Sequence, residues 1–120
     1  MQGTLRNEND AVICATCTVA RNPLTRMRGL LGRRGLAEGE GLLLEPAGSI
    51  HTFFMRFPID VVFLDREQRV VRVVPNLRPW RTAGVRKARA VLELAAGEAA
   101  RVGMTPGSAL RLEVNDGRGQ

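Results

Sequence analysis

Residues 51 to 57, His-Thr-Phe-Phe-Met-Arg-Phe, gather the side chains best suited to holding a ligand: an imidazole, a thioether, a guanidinium and three rings. Extended backbone places His51, Phe53, Met55 and Phe57 on one face and Thr52, Phe54 and Arg56 on the other. The first face reads as a pocket with a polar handle, as a soft-metal site using His51 and Met55, or as an ordinary β core in which His51 is half-buried and hydrogen-bonded. One imidazole and one thioether lack a third donor, so no metal and no cofactor is expected.

Asp60 interrupts the apolar run of residues 57 to 64, and a carboxylate among such neighbours must be paired or hydrogen-bonded. Arg56, Thr52 and His51 are the candidate partners by sequence, with Arg28 and the backbone amides around Gly29 as candidates across space. Either Asp60 pins a strand by accepting backbone N–H bonds, or it is a polar element of a cleft. The candidate ligand-binding set is therefore His51, Phe53, Met55, Arg56, Asp60 and Trp80.

Other chemistry finds less support. Cys14 and Cys17 form a C-x-x-C, but within a β-branched run, where residues three apart point to opposite faces. With two Cys and one His in the chain, the pair is expected neither to bridge nor to bind zinc. Ser49 and Ser108 are the serines present, and neither sits in a Gly-x-Ser-x-Gly elbow. The glycines from Gly29 to Gly35 lack the Lys-Ser/Thr of a phosphate-binding loop and read as helix capping.

The elements that position these residues follow from pattern. The 120 residues suit one domain, spanning 11 to 115, with flexible segments at 1 to 10 and 116 to 120. Residues 11 to 20 read as a strand. Asn22-Pro23 then starts a short amphipathic helix ending between Gly32 and Gly35. Residues 37 to 41 are a loop into a short buried strand, 42 to 44. Residues 59 to 65 and 69 to 75 form a hairpin around the turn at 66 to 68. A long connection of no clean periodicity follows, 76 to 89, a length more often functional than idle. A strand at 90 to 95, one or two helical turns over 97 to 103, a Pro-Gly turn at 105 to 108 and a final strand at 109 to 114 complete the chain. The expected fold is mainly β (α+β), a compact antiparallel β-sandwich or partly closed barrel with one or two short helices.

Hydrophobic residues at 44% and charged residues at 25% exclude a disordered or collagen-like chain. Eighteen basic against 12 acidic residues give +6, and Lys87 is the one lysine. Arginines cluster at Arg26, Arg28, Arg33 and Arg34, and with Lys87 at Arg78, Arg81, Arg86 and Arg89. An arginine-, alanine- and glycine-rich composition also follows from coding bias, and no basic segment interleaves the stacking aromatics of a single-strand binder. The start is polar and no apolar run approaches ~18 residues, so a cytoplasmic monomer without a membrane span is expected.

Several stretches together carry a resemblance. Arg28-Gly-Leu-Leu-Gly-Arg33, Gly41-Leu-Leu-Leu44, the run Ser49-Ile-His-Thr-Phe-Phe-Met-Arg-Phe-Pro-Ile-Asp-Val-Val-Phe-Leu-Asp65, Val91-Leu-Glu-Leu-Ala-Ala-Gly97 and a Gly-x-x-Pro-Gly turn occur in this order. The chain resembles the DUF192 (UPF0127) family over roughly residues 12 to 114. The resemblance implies a small, mainly β domain of uncharacterised activity. Many relatives carry a Cys where this chain has Ala47, so no thiol role carries over to that position. Within the motifs Arg28, Gly29, Asp60, Glu93 and Gly97 are assigned structural roles. The expected function is a module binding a small molecule or protein in a cleft near His51 and Asp60. A basic nucleic-acid-associated domain is the second reading, and an enzyme of unknown reaction is the third.

Overall fold

The computed structural model describes residues 1 to 22 and 33 to 115. Among the described residues nine strands and one short helix follow in order: β1 (Gln2–Asn7), β2 (Val12–Ala20), β3 (Glu40–Leu44), β4 (Ser49–His51), β5 (Ile59–Leu64), β6 (Val70–Leu77), β7 (Thr82–Gly84), β8 (Ala90–Ala95), α1 (Glu98–Arg101) and β9 (Leu110–Asn115). Seven strands make one sheet in the order β6-β5-β8-β3-β2-β1-β9, and β4 and β7 make a separate two-stranded ribbon. Every pairing is antiparallel except β2 with β3.

The seven-stranded sheet curls until its two edges touch. Arg69 bridges Ala109, the Val70 N–H donates to the Ser108 carbonyl at 2.8 Å, and the Leu110 N–H donates to the Gln68 carbonyl at 2.9 Å. This is a partly closed barrel, and all seven strands contribute to its interior, among them Leu5, Cys14, Leu43, Val62, Val70, Leu92 and Leu110. Strand β5 is buried on both faces, as period-two geometry demands of a strand between two apolar layers. Val62 and Leu64 enter the barrel, while Ile59, Val61 and Phe63 join a second core outside it with Leu42, Leu44 and Val91. Ile50 of β4 and Ala83 of β7 lie over that outer layer, so the ribbon is the lid of the second core.

Several expectations are corrected. Residues 1 to 10 are not a flexible segment: β1 pairs with β2 on one side and β9 on the other, its few apolar side chains, such as Leu5, entering the barrel. Strand β3 begins at Glu40, inside the expected loop, and the connection 76 to 89 holds β7. The expected helix after Asn22 falls on residues 23 to 32, which with Arg28 and Gly29 lie outside the described residues, as does the tail 116 to 120. Cys14 and Cys17 do not point to opposite faces. Gly3 and Leu5 pair with Cys17 and Cys14, two residues against three, so a bulge turns both buried thiols into the barrel. The Cys14 thiol donates to the Gly39 carbonyl at 3.5 Å, and the interaction of the two neighbouring thiols holds Cys14 below its ordinary pKa and pushes Cys17 up.

Asp60 is 1% exposed and is satisfied entirely by backbone. Its Oδ1 accepts the Asn76 N–H at 2.9 Å, and its Oδ2 accepts those of Gly97 and Ala99 at 3.0 and 2.9 Å. None of the partners suggested by sequence proximity is used. Gly97, at φ 93°, starts α1 without a side-chain cap of its own, and Asp60 supplies the missing acceptor from another strand. Glu98 ties the same helix to the β2–β3 connection by accepting the Gly39 N–H at 3.0 Å, and its ion pair with Arg101 holds its carboxyl below the usual range.

Glu93 is the opposite case. On β8 it faces the outer core beside Leu42 and Val61, its Oε1 has no hydrogen-bond partner among the described residues, and burial pushes its pKa to about 7.

Two stability predictions follow from these carboxylates. Asp60→Ala strands three N–H groups, each costing on the order of 1–3 kcal/mol when buried and unsatisfied. Its denaturant midpoint should fall well below that of Asp65→Ala, whose Oδ1 holds the Glu67 and Arg69 amides at an exposed turn where water can replace it. Equal midpoints would show that Asp60 is not the anchor described. For Glu93 the folded pKa lies above the unfolded one, so stability should be highest below the unfolded value near 4.5, fall as pH rises towards about 7, and then level off. The drop is on the order of 3 kcal/mol. Glu93→Gln should abolish that slope, and an unchanged slope in urea titrations across this range would contradict the assignment.

Candidate functional site

The β4–β7 ribbon pairs Ser49 with Gly84, Ile50 with Ala83 and His51 with Thr82. With Ile50 and Ala83 turned to the core, the alternate positions Ser49, His51, Thr82 and Gly84 are exposed on the outer side. They line an open groove of about 590 Å³, whose lining also includes Phe53.

Beyond His51 the chain leaves the strand, and the side chain responsible is Thr52. Fully buried, it joins two loops distant in sequence. Its hydroxyl donates to the Arg78 carbonyl at 2.6 Å and accepts the Arg81 N–H at 2.9 Å, while its backbone N–H donates to the Arg81 carbonyl at 2.8 Å. Its carbonyl accepts the N–H groups of Trp80 at 3.0 Å and Met55 at 3.2 Å. The turn therefore carries Phe53 and Phe54 to the side of Trp80. Three rings form a near-parallel row: His51 and Phe53 stack with centroids 4.8 Å apart, and Phe53 and Trp80 at 5.7 Å. Phe54 tilts against Trp80 at 4.6 Å. Phe53, Phe54 and Trp80 remain 37%, 70% and 55% exposed. Phe54 and Trp80 both hold left-handed backbone, φ 67° and 66°, a conformation that bulky residues adopt only under constraint.

The charges around this cluster are of one sign. No Asp or Glu occurs in residues 46 to 59 or 68 to 92, which carry eight exposed cations: Arg56, Arg78, Arg81, Arg86 and Lys87, together with Arg69, Arg72 and Arg89. Ion pairs among the described residues lie elsewhere, joining Arg6 and Arg111 to Asp10 and Glu113, Arg21 to Glu45, Arg33 to Glu40 and Arg101 to Glu38 and Glu98. Arg81 and Arg72 spend guanidinium hydrogen bonds on the carbonyls of Trp80 and Gly84 instead. The loops that bear the rings therefore carry cations, Arg56, Arg78 and Arg81, that no carboxylate of the described residues neutralises.

The sequence-predicted set divides. His51, Phe53, Arg56 and Trp80 are exposed around the ribbon end, and the imidazole Nδ1 accepts the Phe53 N–H at 3.3 Å, so His51 is not the half-buried core residue of the alternative reading. Met55 is buried in the outer core and does not share a face with His51, because residues 53 to 57 turn instead of extending. Asp60 faces the barrel interior and α1, so no cleft joins it to His51. Thr52, Phe54, Arg78 and Arg81 were missing from the set. Arg78 and Arg81 had a sequence signal in the basic cluster of the nucleic-acid reading, and Thr52 was named only as a partner of Asp60. Among the described residues no cluster of three or more His, Cys, Asp or Glu is placed to hold a metal ion, and no helix is long and apolar enough to cross a membrane.

Comparison with known proteins gives the same fold and no reaction. A protein of Sinorhizobium meliloti 1021, described as a proposed transcription regulator, superposes with a TM-score of 0.83 at 24% identity, covering 93% of this chain and 94% of its own. A protein of unknown function from Novosphingobium aromaticivorans DSM 12444 superposes with a TM-score of 0.78 at 24% identity, over 92% of this chain and 84% of its own. A UPF0127 protein of Pyrococcus abyssi is 55% identical over 40 residues, which span a third of its length and of this chain's. The DUF192 family model, described as "Uncharacterized ACR", matches residues 4 to 112. The chain, small, basic and mainly β, belongs to the DUF192 family.

Proposed function

We propose that this domain associates with nucleic acid through the β4–β7 ribbon and the loops that flank it. The observation that carries the reading is the segregation of charge. Eight exposed cations stand on the two segments without a carboxylate, five of which, Arg56, Arg78, Arg81, Arg86 and Lys87, form the interface proposed; none of the eight is ion-paired among the described residues, whereas Arg6, Arg21 and Arg111 are. Composition alone would scatter arginines and their acidic partners alike over the surface. An unneutralised cationic face concentrates phosphate and releases its counterions on contact. The Sinorhizobium fold relative, described as a proposed transcription regulator, supports the same direction as an analogy of fold. A cleft uniting His51 and Asp60 is not part of this reading, since the two side chains serve different layers.

Fluorescence anisotropy with a labelled oligonucleotide tests it. If all five cations meet phosphates, affinity should fall roughly a hundredfold between ~50 and ~200 mM salt. Replacing Arg78 and Arg81 by Ala should weaken binding and flatten the salt slope by up to about two phosphate contacts. The same change at Arg6 and Arg111, whose charges are already compensated, should do neither. Salt-independent binding, or equal losses in the two double variants, would contradict the proposal.

A further inference from the structure

We infer that the ring cluster of His51, Phe53, Phe54 and Trp80 is a stacking platform for unpaired bases, so that the ligand of the cationic face is a single strand and not a duplex. The inference rests on the proposed function and adds to it an observation independent of charge. Three large apolar rings are left in water although the outer core lies directly beneath the ribbon, and two of them are held in left-handed backbone to keep them there. Their position is fixed by the buried Thr52, whose hydroxyl and main chain together make five hydrogen bonds to residues 55 and 78 to 81 at up to 3.2 Å. A preorganised surface of this kind stacks a base with little ordering of its own side chains.

The rings of His51, Phe53 and Trp80 follow one another with interplanar angles of 29° and 27°, and Phe54 tilts against Trp80, so a base that seats on an exposed ring face continues an existing stack. Bases within a duplex are already stacked and present only their edges. Beside the rings runs the open groove lined by Ser49, His51 and Thr82, whose polar groups suit the edges of splayed bases or a sugar-phosphate backbone. Arg81 and Arg78 flank the rings through the Thr52 hydrogen bonds, within reach of the adjoining phosphates. The exposed rings and cations would also suit an anionic lipid surface, but a lipid surface makes no use of parallel ring planes or of a polar groove. The observations favour the single strand.

Trp80 is the one tryptophan of the chain and sits in the row, so intrinsic fluorescence reports on the site directly. The full chain should be titrated at low salt with oligothymidylate of about ten nucleotides, within the usual span of a stacking groove, and with a duplex hairpin of equal charge. Expected are quenching of Trp80 by the single strand and an affinity at least about tenfold above that for the hairpin. Phe53→Ala and Phe54→Ala, both at exposed positions and checked for native circular dichroism, should each weaken oligothymidylate binding about tenfold and leave hairpin binding within about twofold. Equal affinity for both probes, no quenching and no effect of either variant would overturn this inference while leaving the cationic interface standing. Absence of any oligonucleotide binding, with a blue shift of Trp80 on phosphatidylserine vesicles, would overturn both and assign the surface to lipid.

Discussion

The carboxylate of Asp60 stands where three parts of the chain meet, and its acceptor capacity is spent on their main-chain amides: Asn76 at the end of β6, Gly97 and Ala99 at the start of α1. An apolar side chain there would leave buried N–H groups without partners, and a cation would repel them. The strand that carries it, β5, is buried throughout, and its two faces belong to different cores. The barrel interior and the layer beneath the ribbon are thus held in register by one strand, whose position along its axis is fixed by the three hydrogen bonds of one side chain.

The ribbon gives the outer face of that strand its cover. Ile50 and Ala83 pack inward, and the same alternation turns His51 and Thr82 outward. Thr52 then ends β4 and ties the next turn to residues 78 to 81, which brings the phenylalanines to Trp80. Nothing in the packing of either core requires those rings to be exposed, or the cations around them to go without carboxylates. Barrel and ribbon account for the stability of the domain. The aromatic and cationic surface is what they leave over, and it is the part to which a binding role is assigned.

Much of the scaffold was legible in the residues. The β5–β6 hairpin follows from two apolar runs about a turn, α1 from a short segment closed by Gly103 at φ 71°, and β9 from the Pro-Gly turn before it. The burial of Asp60 was legible too, because a carboxylate between apolar neighbours has few alternatives. Its partners were not, since the amides of residues 76, 97 and 99 converge only in the fold. Strand β1 escaped notice because most of its side chains are polar and only Gly3 and Leu5 are buried. A bulge defeated the period-two argument for Cys14 and Cys17, and a threonine turn defeated it for residues 51 to 57. The ring cluster draws on residues 51 to 54 and on residue 80, and the link between them is Thr52, which the sequence suggested only as a partner of Asp60.

The most direct measurement is a map of amide chemical shifts in the ¹⁵N-labelled protein during titration with a short oligothymidylate. The account predicts perturbations confined to residues 49 to 56 and 78 to 87, with the indole N–H of Trp80 among the largest. It predicts none around the paired charges of Arg6, Asp10, Arg111 and Glu113. Shifts centred on that opposite side, or on the cleft between Arg21, Glu45 and Arg66, with the Trp80 indole unmoved, would contradict it.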